Sequence, residues 1–147
     1  MRIDTPGYHH RQVSVLTQLF GALALMVILA WYSSNGDGIA LLVAGSVALL
    51  VGVLHALTIR VTDTTLAWHF GFRLFSKSAP LADIAGVEPV RNRWWYGWGI
   101  RYTAHGWLYN VAGLDAVEIT RRNGKTFRLG TDQPDILASA IRARLEA

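Results

Sequence analysis

The chain of 147 residues contains no cysteine. Disulfides, thiolate metal sites and cysteine nucleophiles are thereby excluded. Charge is scarce as well: Asp, Glu, Lys and Arg make up 16% of the residues, against about a quarter in ordinary globular proteins. The deficit is uneven. Between Gln12 and Ile59 the one charged residue is Asp37, whereas from Arg60 onward charge is frequent and mostly basic. Charge segregated in this way predicts two kinds of structure in one chain. The net charge of +4 suits a partner of negative potential, either anionic lipid or nucleic acid. The apolar N-terminal third favours lipid.

That third holds two long apolar runs, 13–32 and 39–57. About 20 helical residues cross a hydrocarbon core, and an uninterrupted run without alternation predicts a helix. Neither run has the polar face of a soluble helix, and no small-x-small cleavage site follows the first. The link 33–38 is short, polar and glycine-rich, so it makes the two helices antiparallel neighbours. It carries no Lys or Arg, while Arg2 and Arg11 precede the first run and Arg60, Arg73 and Lys77 follow the second. The positive-inside rule therefore puts both termini in the cytoplasm. Trp31 and Tyr32 fall at the outer interface and Tyr8 at the inner one. On the second helix Ala40, Ala44, Ala48, Gly52 and Ala56 recur every four residues and make a groove of small side chains. The groove suits either the first helix of the same chain or a partner helix, including that of a second copy. Gln18 and His55 fall in the inner half of the span, where they can bond each other or His55 can reach the headgroups.

After His55 the pattern becomes strand-like. Alternation predicts strands over 58–62, 66–70, 72–75 and 84–90, with a turn at Asp63-Thr64-Thr65 and Pro89 ending the last strand. A hairpin covers 116–129. A two-residue Asn123-Gly124 turn mixes apolar and charged residues on both faces. A three-residue loop, Arg122-Asn123-Gly124 with Gly124 left-handed, pairs Ile119 with Phe127 and Val117 with Leu129 on one face, and Thr120 with Thr126 and Glu118 with Arg128 on the other. The second register is selected. A C-terminal helix over 133–146, with Asp132 as N-cap, carries Leu137, Ile141 and Leu145 on one face.

The expected organisation is a cytoplasmic segment over 1–12, a transmembrane helical hairpin over 13–57 and a cytoplasmic β domain over 58–147. The β domain has about seven strands, forming an antiparallel sheet or barrel closed by the amphipathic helix. The segments Leu81-Ala82-Asp83-Ile84, Trp95-Tyr96-Gly97-Trp98-Gly99-Ile100-Arg101, Gly106-Trp107-Leu108-Tyr109-Asn110-Val111, Asn123-Gly124-Lys125 and Leu129-Gly130-Thr131-Asp132-Gln133-Pro134 resemble those of bacterial pleckstrin-homology-like (PH-like) membrane proteins. The resemblance covers nearly the whole chain. It implies a transmembrane hairpin followed by a PH-like β-barrel and C-terminal helix in the bacterial inner membrane. PH domains that bind phosphoinositides carry a basic cluster at the first hairpin loop; the corresponding turn here, Asp63-Thr64-Thr65, lacks one.

The densest unusual segment is 91–101, with three arginines and four aromatics. Trp and Tyr favour the lipid interface, and Arg pairs with phosphate or carboxylate. The alternative is that these rings fill the β core. Arg91, Arg93, Trp94, Trp95, Trp98 and Arg101 are the candidate contact residues, for anionic membrane lipid or a protein partner. No catalytic, metal or cofactor set is expected. Gly97-Trp98-Gly99 lacks the third glycine of a dinucleotide loop. His9-His10 has no further ligand at metal spacing. Asp63, Asp83, Glu88, Asp115 and Glu118 form no acid/base pair in sequence. Tethering to lipid and modest net charge argue against a nucleic-acid partner. A non-catalytic interaction module is the expected function, a structural or assembly subunit acting through the small-residue groove is the alternative, and a membrane enzyme is the third possibility.

Overall fold

The computed structural model describes residues 7–36, 38–73 and 75–147. Arg2, which entered the orientation argument, and Asp37, the lone charge of the apolar third, lie outside them. The first element is a strand, β1 (Tyr8–Val13), in the part expected as a cytoplasmic segment with no element assigned, and it takes Val13 from the expected first helix. It pairs antiparallel with β2 (Ala56–Val61), in register from Tyr8↔Val61 to Val13↔Ala56. Between these partners stand two helices, α1 (Val15–Asn35) and α2 (Gly38–Leu54). The helical pair is thus an insertion between adjacent strands of one sheet. The Ser14 N–H donates to the His55 carbonyl at 2.7 Å, closing the base of the insertion. Buried Ser14 also caps α1 by accepting from the Thr17 N–H at 3.1 Å.

α1 is long and apolar enough to cross a membrane. α2 is apolar but has 17 residues, because the chain turns at His55 and Ala56 and Leu57 enter β2 rather than continuing the run to 57. The contact between the helices follows a seam rather than the expected straight groove. Ala40 and Ala44 are buried, but Ala48 is exposed. A four-residue stripe drifts around a helix of 3.6 residues per turn, so it leaves the interface after two steps. Gly52 is instead met by the Phe72 ring, which would lie 2.8 Å from an added Cβ, and Ala56 sits in β2. His55 and Gln18 do not meet. His55 Nδ1–H donates to the Gly52 carbonyl at 2.6 Å and Nε2 accepts from Arg11 at 3.0 Å, while Gln18 is exposed.

β2 continues the first sheet to β3 (Thr65–Phe70) and β4 (Ser76–Pro80), in the order β1-β2-β3-β4. The expected strand 72–75 is not formed at its described residues: Phe72 and Arg73 turn, with Arg73 at φ 65°, and residue 74 lies outside the described residues. A short 3-10 turn (Leu81–Asp83) then leads to the second sheet: β5 (Ile84–Arg91), β6 (Gly99–Thr103), β7 (Gly106–Asn110), β8 (Asp115–Arg121) and β9 (Thr126–Gly130), ordered β5-β8-β9-β7-β6. Pro89 lies inside β5 rather than ending it, as an edge strand permits. The β8–β9 hairpin has the register that the sequence selects, Ile119↔Phe127 and Glu118↔Arg128, with Gly124 at φ 81°. β7 and β9 pair in parallel. Among the described residues no ladder joins the two sheets, so the chain is α+β with two open sheets, and no barrel closes.

α3 (Pro134–Leu145) packs on β5 and β8 and places Leu137, Ala138 and Ile141 in the core, beside Leu57, Phe70, Ile119 and Leu129. Its N-cap is Gln133, not Asp132, whose carboxylate accepts from His10 Nε2 of β1 at 2.6 Å. Arg144 at its other end pairs with Asp63. Tyr8 packs against the core and bonds Gln133. It stands at the end of β1 away from the helices, so it is not an inner-interface anchor.

Gly71 fixes the β3 exit against the helices. Its N–H donates to the Ala56 carbonyl at 2.9 Å, its φ is 35°, and a Cβ there would overlap the carbonyl oxygens of Gly52 and Val53. Gly71→Ala is expected to cost about 2 kcal/mol or more. Gly45→Ala, whose Cβ meets nothing within 4 Å, should be neutral. Thermal melts of both variants in one nanodisc preparation check the contrast.

Candidate functional site

The segment between β5 and β6 crosses the outer face of the second sheet, from its β5 edge to its β6 edge. Both ends are pinned on the helix side of the domain. At the start, Asn92 N–H donates to the Leu114 carbonyl at 2.7 Å, and Arg91 pairs with Asp115 at 3.5 Å. At the finish, Gly99 pairs with Asn110 in the β6–β7 ladder. The intervening loop is tied to the helix base, because Gln12, one residue from the end of β1, donates to the Ala112 carbonyl at 3.3 Å. The 92–98 crossing therefore leaves and rejoins the sheet at the end from which α1 and α2 project.

In the middle of the crossing a 3-10 turn (Trp94–Tyr96) has no buried residue. Trp94 is 76% exposed, Trp95 56% and Trp98 46%, so these rings do not fill the core. They form a surface cluster: Trp94 and Trp95 meet edge to face at 5.8 Å, and the Arg93 guanidinium lies 5.0 Å over the Trp95 ring. Arg101 Nε donates to the Trp98 carbonyl at 2.9 Å. All six residues singled out in the sequence thus lie on or beside one exposed crossing.

Beneath the crossing is a buried polar cluster. Arg128, 7% exposed, donates to Glu118 through Nε at 2.7 Å and to Asn92 Oδ1 through Nη1 at 3.1 Å. His105 Nδ1 lies 3.7 Å from the same Glu118 oxygen. The sequence registers the Glu118–Arg128 pair, but it does not reveal that Asn92 joins it and so ties the Trp-rich crossing to β9. Among the described residues no group of three or more His, Cys, Asp or Glu is placed to hold a metal ion.

The outer face of the first sheet is basic. His9, Arg11, Arg60 and His69 alternate outward from β1, β2 and β3, with Arg73 following, and that face of its strands carries no carboxylate. Burial, then the Arg73 charge, and more weakly Arg60 and His9, push the His69 imidazole below its ordinary value, against a raising backbone hydrogen bond at Phe70.

A comparison of the chain with protein-family models and with curated proteins finds no match.

Glu118→Ala leaves Arg128 buried without its carboxylate and should destabilise the domain by about 3 kcal/mol; hydrogen exchange over 92–98 should speed up, and replacing Arg128 with Leu in the same chain should recover part of the loss. For His69, the folded state binds fewer protons than the unfolded state in the window from its depressed value up to about 6.5. Its contribution to stability is therefore complete above that window and falls as pH is lowered through it. His69→Gln should flatten this part of the stability profile in melts run from about pH 5 to pH 8.

Proposed function

We propose that this chain is a non-catalytic, membrane-anchored module whose β domain is held against an anionic lipid surface. The observation that carries the proposal is the exposed Trp/Arg crossing, pinned at the end of the domain from which two apolar helices project. In this reading α1 and α2 are an antiparallel transmembrane hairpin. α1 rises about 31 Å and α2 about 26 Å, near a hydrocarbon thickness of about 30 Å. Their large side chains, such as Leu19, Phe20, Leu23, Ile39, Leu42 and Leu49, are exposed. Among the described residues the domain core takes only Leu54 from the two helices. A soluble protein does not leave so much contiguous apolar surface uncovered.

Arg11 at the helix base, with Arg60, Arg73 and Lys77 on the domain side of the helices, supports a cytoplasmic location for both termini and the domain by the positive-inside rule. The two sheets and core-packed C-terminal helix fit the PH-like architecture that the motifs resemble, and the resemblance implies the bacterial inner membrane. Trp94, Trp95 and Trp98 then rest at headgroup depth, with Arg91, Arg93 and Arg101 facing lipid phosphates. The basic outer face of the first sheet adds attraction of the same sign.

The test compares hydrogen exchange over 91–101 for the full chain in phosphatidylglycerol and phosphatidylcholine nanodiscs. Exchange should be about fivefold slower in the anionic discs. The W94A/W95A/W98A variant should lose that protection while β8 and β9 exchange as before. Equal exchange in the two lipids overturns the lipid reading. Loss of a co-purifying protein in the same variant would assign the surface to a protein partner instead.

A further inference from the structure

Three strands of the second sheet turn aromatic side chains toward the first, yet part of that inner face is uncovered. Register fixes the directions. Tyr109 and Phe127 are buried in the core, Trp107 pairs with Phe127 and Tyr102 pairs with Trp107, so all four share the inner face. Tyr102 is nevertheless 74% exposed and Trp107 49%. The cause is a cleft of about 760 Å³ between β3 and β4 on one side and β6, β7 and the β8–β9 turn on the other. β4 and β6 end their respective sheets, and among the described residues no ladder joins them.

The chemistry of the cleft is uneven along its length. Phe70 and Phe75 stand at the helix end, where the Phe70 N–H donates to the Phe75 carbonyl at 3.2 Å. The floor is Trp68, stacked on Phe127 at 5.0 Å. Its indole N–H has no acceptor among the described residues. Arg121, the last residue of β8, and Lys125, in the β8–β9 turn, stand at the far end. Lys77 pairs with Trp68 across β3–β4 and so shares its inward face, which puts a third cation over the cleft. None of the lining residues is acidic, and no ion pair involves these three cations among the described residues.

We infer that this cleft binds a single-chain lipid ending in a phosphate monoester, with the phosphate at Lys77, Arg121 and Lys125 and the chain along the aromatic wall toward the helix end. A mostly apolar cavity of this size with a few convergent polar groups is the usual form of a small-ligand site. Three cations without a carboxylate complement a head carrying nearly two negative charges better than a single one. The orientation matches entry from a bilayer head first, the chain trailing toward the lipid. The inference rests on the membrane reading only for the source of the ligand; the site itself is separate from the Trp-rich crossing.

The test titrates the full chain in phosphatidylcholine nanodiscs with dodecyl phosphate below its micellar concentration, using empty discs as the reference. One saturable site per chain is expected, with dodecylphosphocholine, which has the same chain but no net charge, about tenfold weaker. K77Q/R121Q/K125Q should weaken dodecyl phosphate about tenfold or more without changing exchange in β8 and β9. Ile100→Trp, on the inward face of β6 opposite Tyr109, fills the cleft and should abolish binding of both. W94A/W95A/W98A should leave binding unchanged. Absence of saturable binding, or binding insensitive to both the charge and the filling variants, overturns the inference and leaves the membrane reading standing. Binding lost with the tryptophans alone moves the ligand to the crossing and overturns it as well.

Discussion

The β1–β2 ladder is the constraint on which the rest of the arrangement depends. Both ends of the helical pair run directly into neighbouring strands, from Val13↔Ala56 outward, and Ser14 and His55 close the junction with a backbone hydrogen bond. No linker separates helices from domain. A domain on a flexible tether would sample all orientations to its anchor; here the first sheet continues the helices, so one end of the β domain always faces the helix base. Gly71, Arg11 and the Phe72 ring reinforce the same junction from β3, β1 and the turn after β3.

Fixed orientation gives meaning to features that would otherwise be unrelated. The Trp-rich crossing is exposed, but exposure alone does not distinguish a lipid contact from a protein contact. Its two attachment points do favour one, because Leu114 lies in, and Asn110 immediately precedes, the loop that Gln12 holds beside the helices. The buried Glu118–Arg128–Asn92 cluster then has a structural purpose. A buried charged pair adds little net stability over apolar packing, yet here it ties the start of the crossing to β8 and β9 and so holds the exposed rings over a rigid face.

The parts of the fold legible in sequence are those whose determinants lie close together. The β8–β9 register follows from Asn123-Gly124 and alternation on both sides, where a slip of one residue would mix both faces. α3 follows from the spacing of Leu137, Ile141 and Leu145. β1 is not legible, because two of its three inward positions, His10 and Gln12, are held by hydrogen bonds to Asp132 and Ala112, and only Tyr8 packs against the core; the apolar alternation that reveals a strand is missing. The drift of the small-residue stripe off the helix seam, and the turn at His55 that shortens α2, depend on β2 beginning at Ala56, a tertiary fact. The candidate residues in 91–101 were legible as a cluster, but their exposure was not, since a run of aromatics suits a core as well as a surface. Only the path across the outer face of the sheet decides it. The cleft cations, at 77, 121 and 125, are brought together by two sheets whose pairing no local pattern encodes.

The open seam between β4 and β6 also bears on how the domain stays unaggregated. Unpaired edge strands template association with other chains, and inward-pointing charge is one of the devices that prevents it. Lys77 has that position on β4, so edge protection accounts for one cation. It does not account for Arg121, which ends the interior strand β8, or Lys125, which lies on a hairpin turn, nor for the exposure of Tyr102 and Trp107 on an inner face. A seam needing only protection would be served by polar residues there. Aromatic walls ending in cations keep the edges apart while preserving a cavity of amphipathic shape, and a ligand of matching shape would cover both the rings and the charge at once.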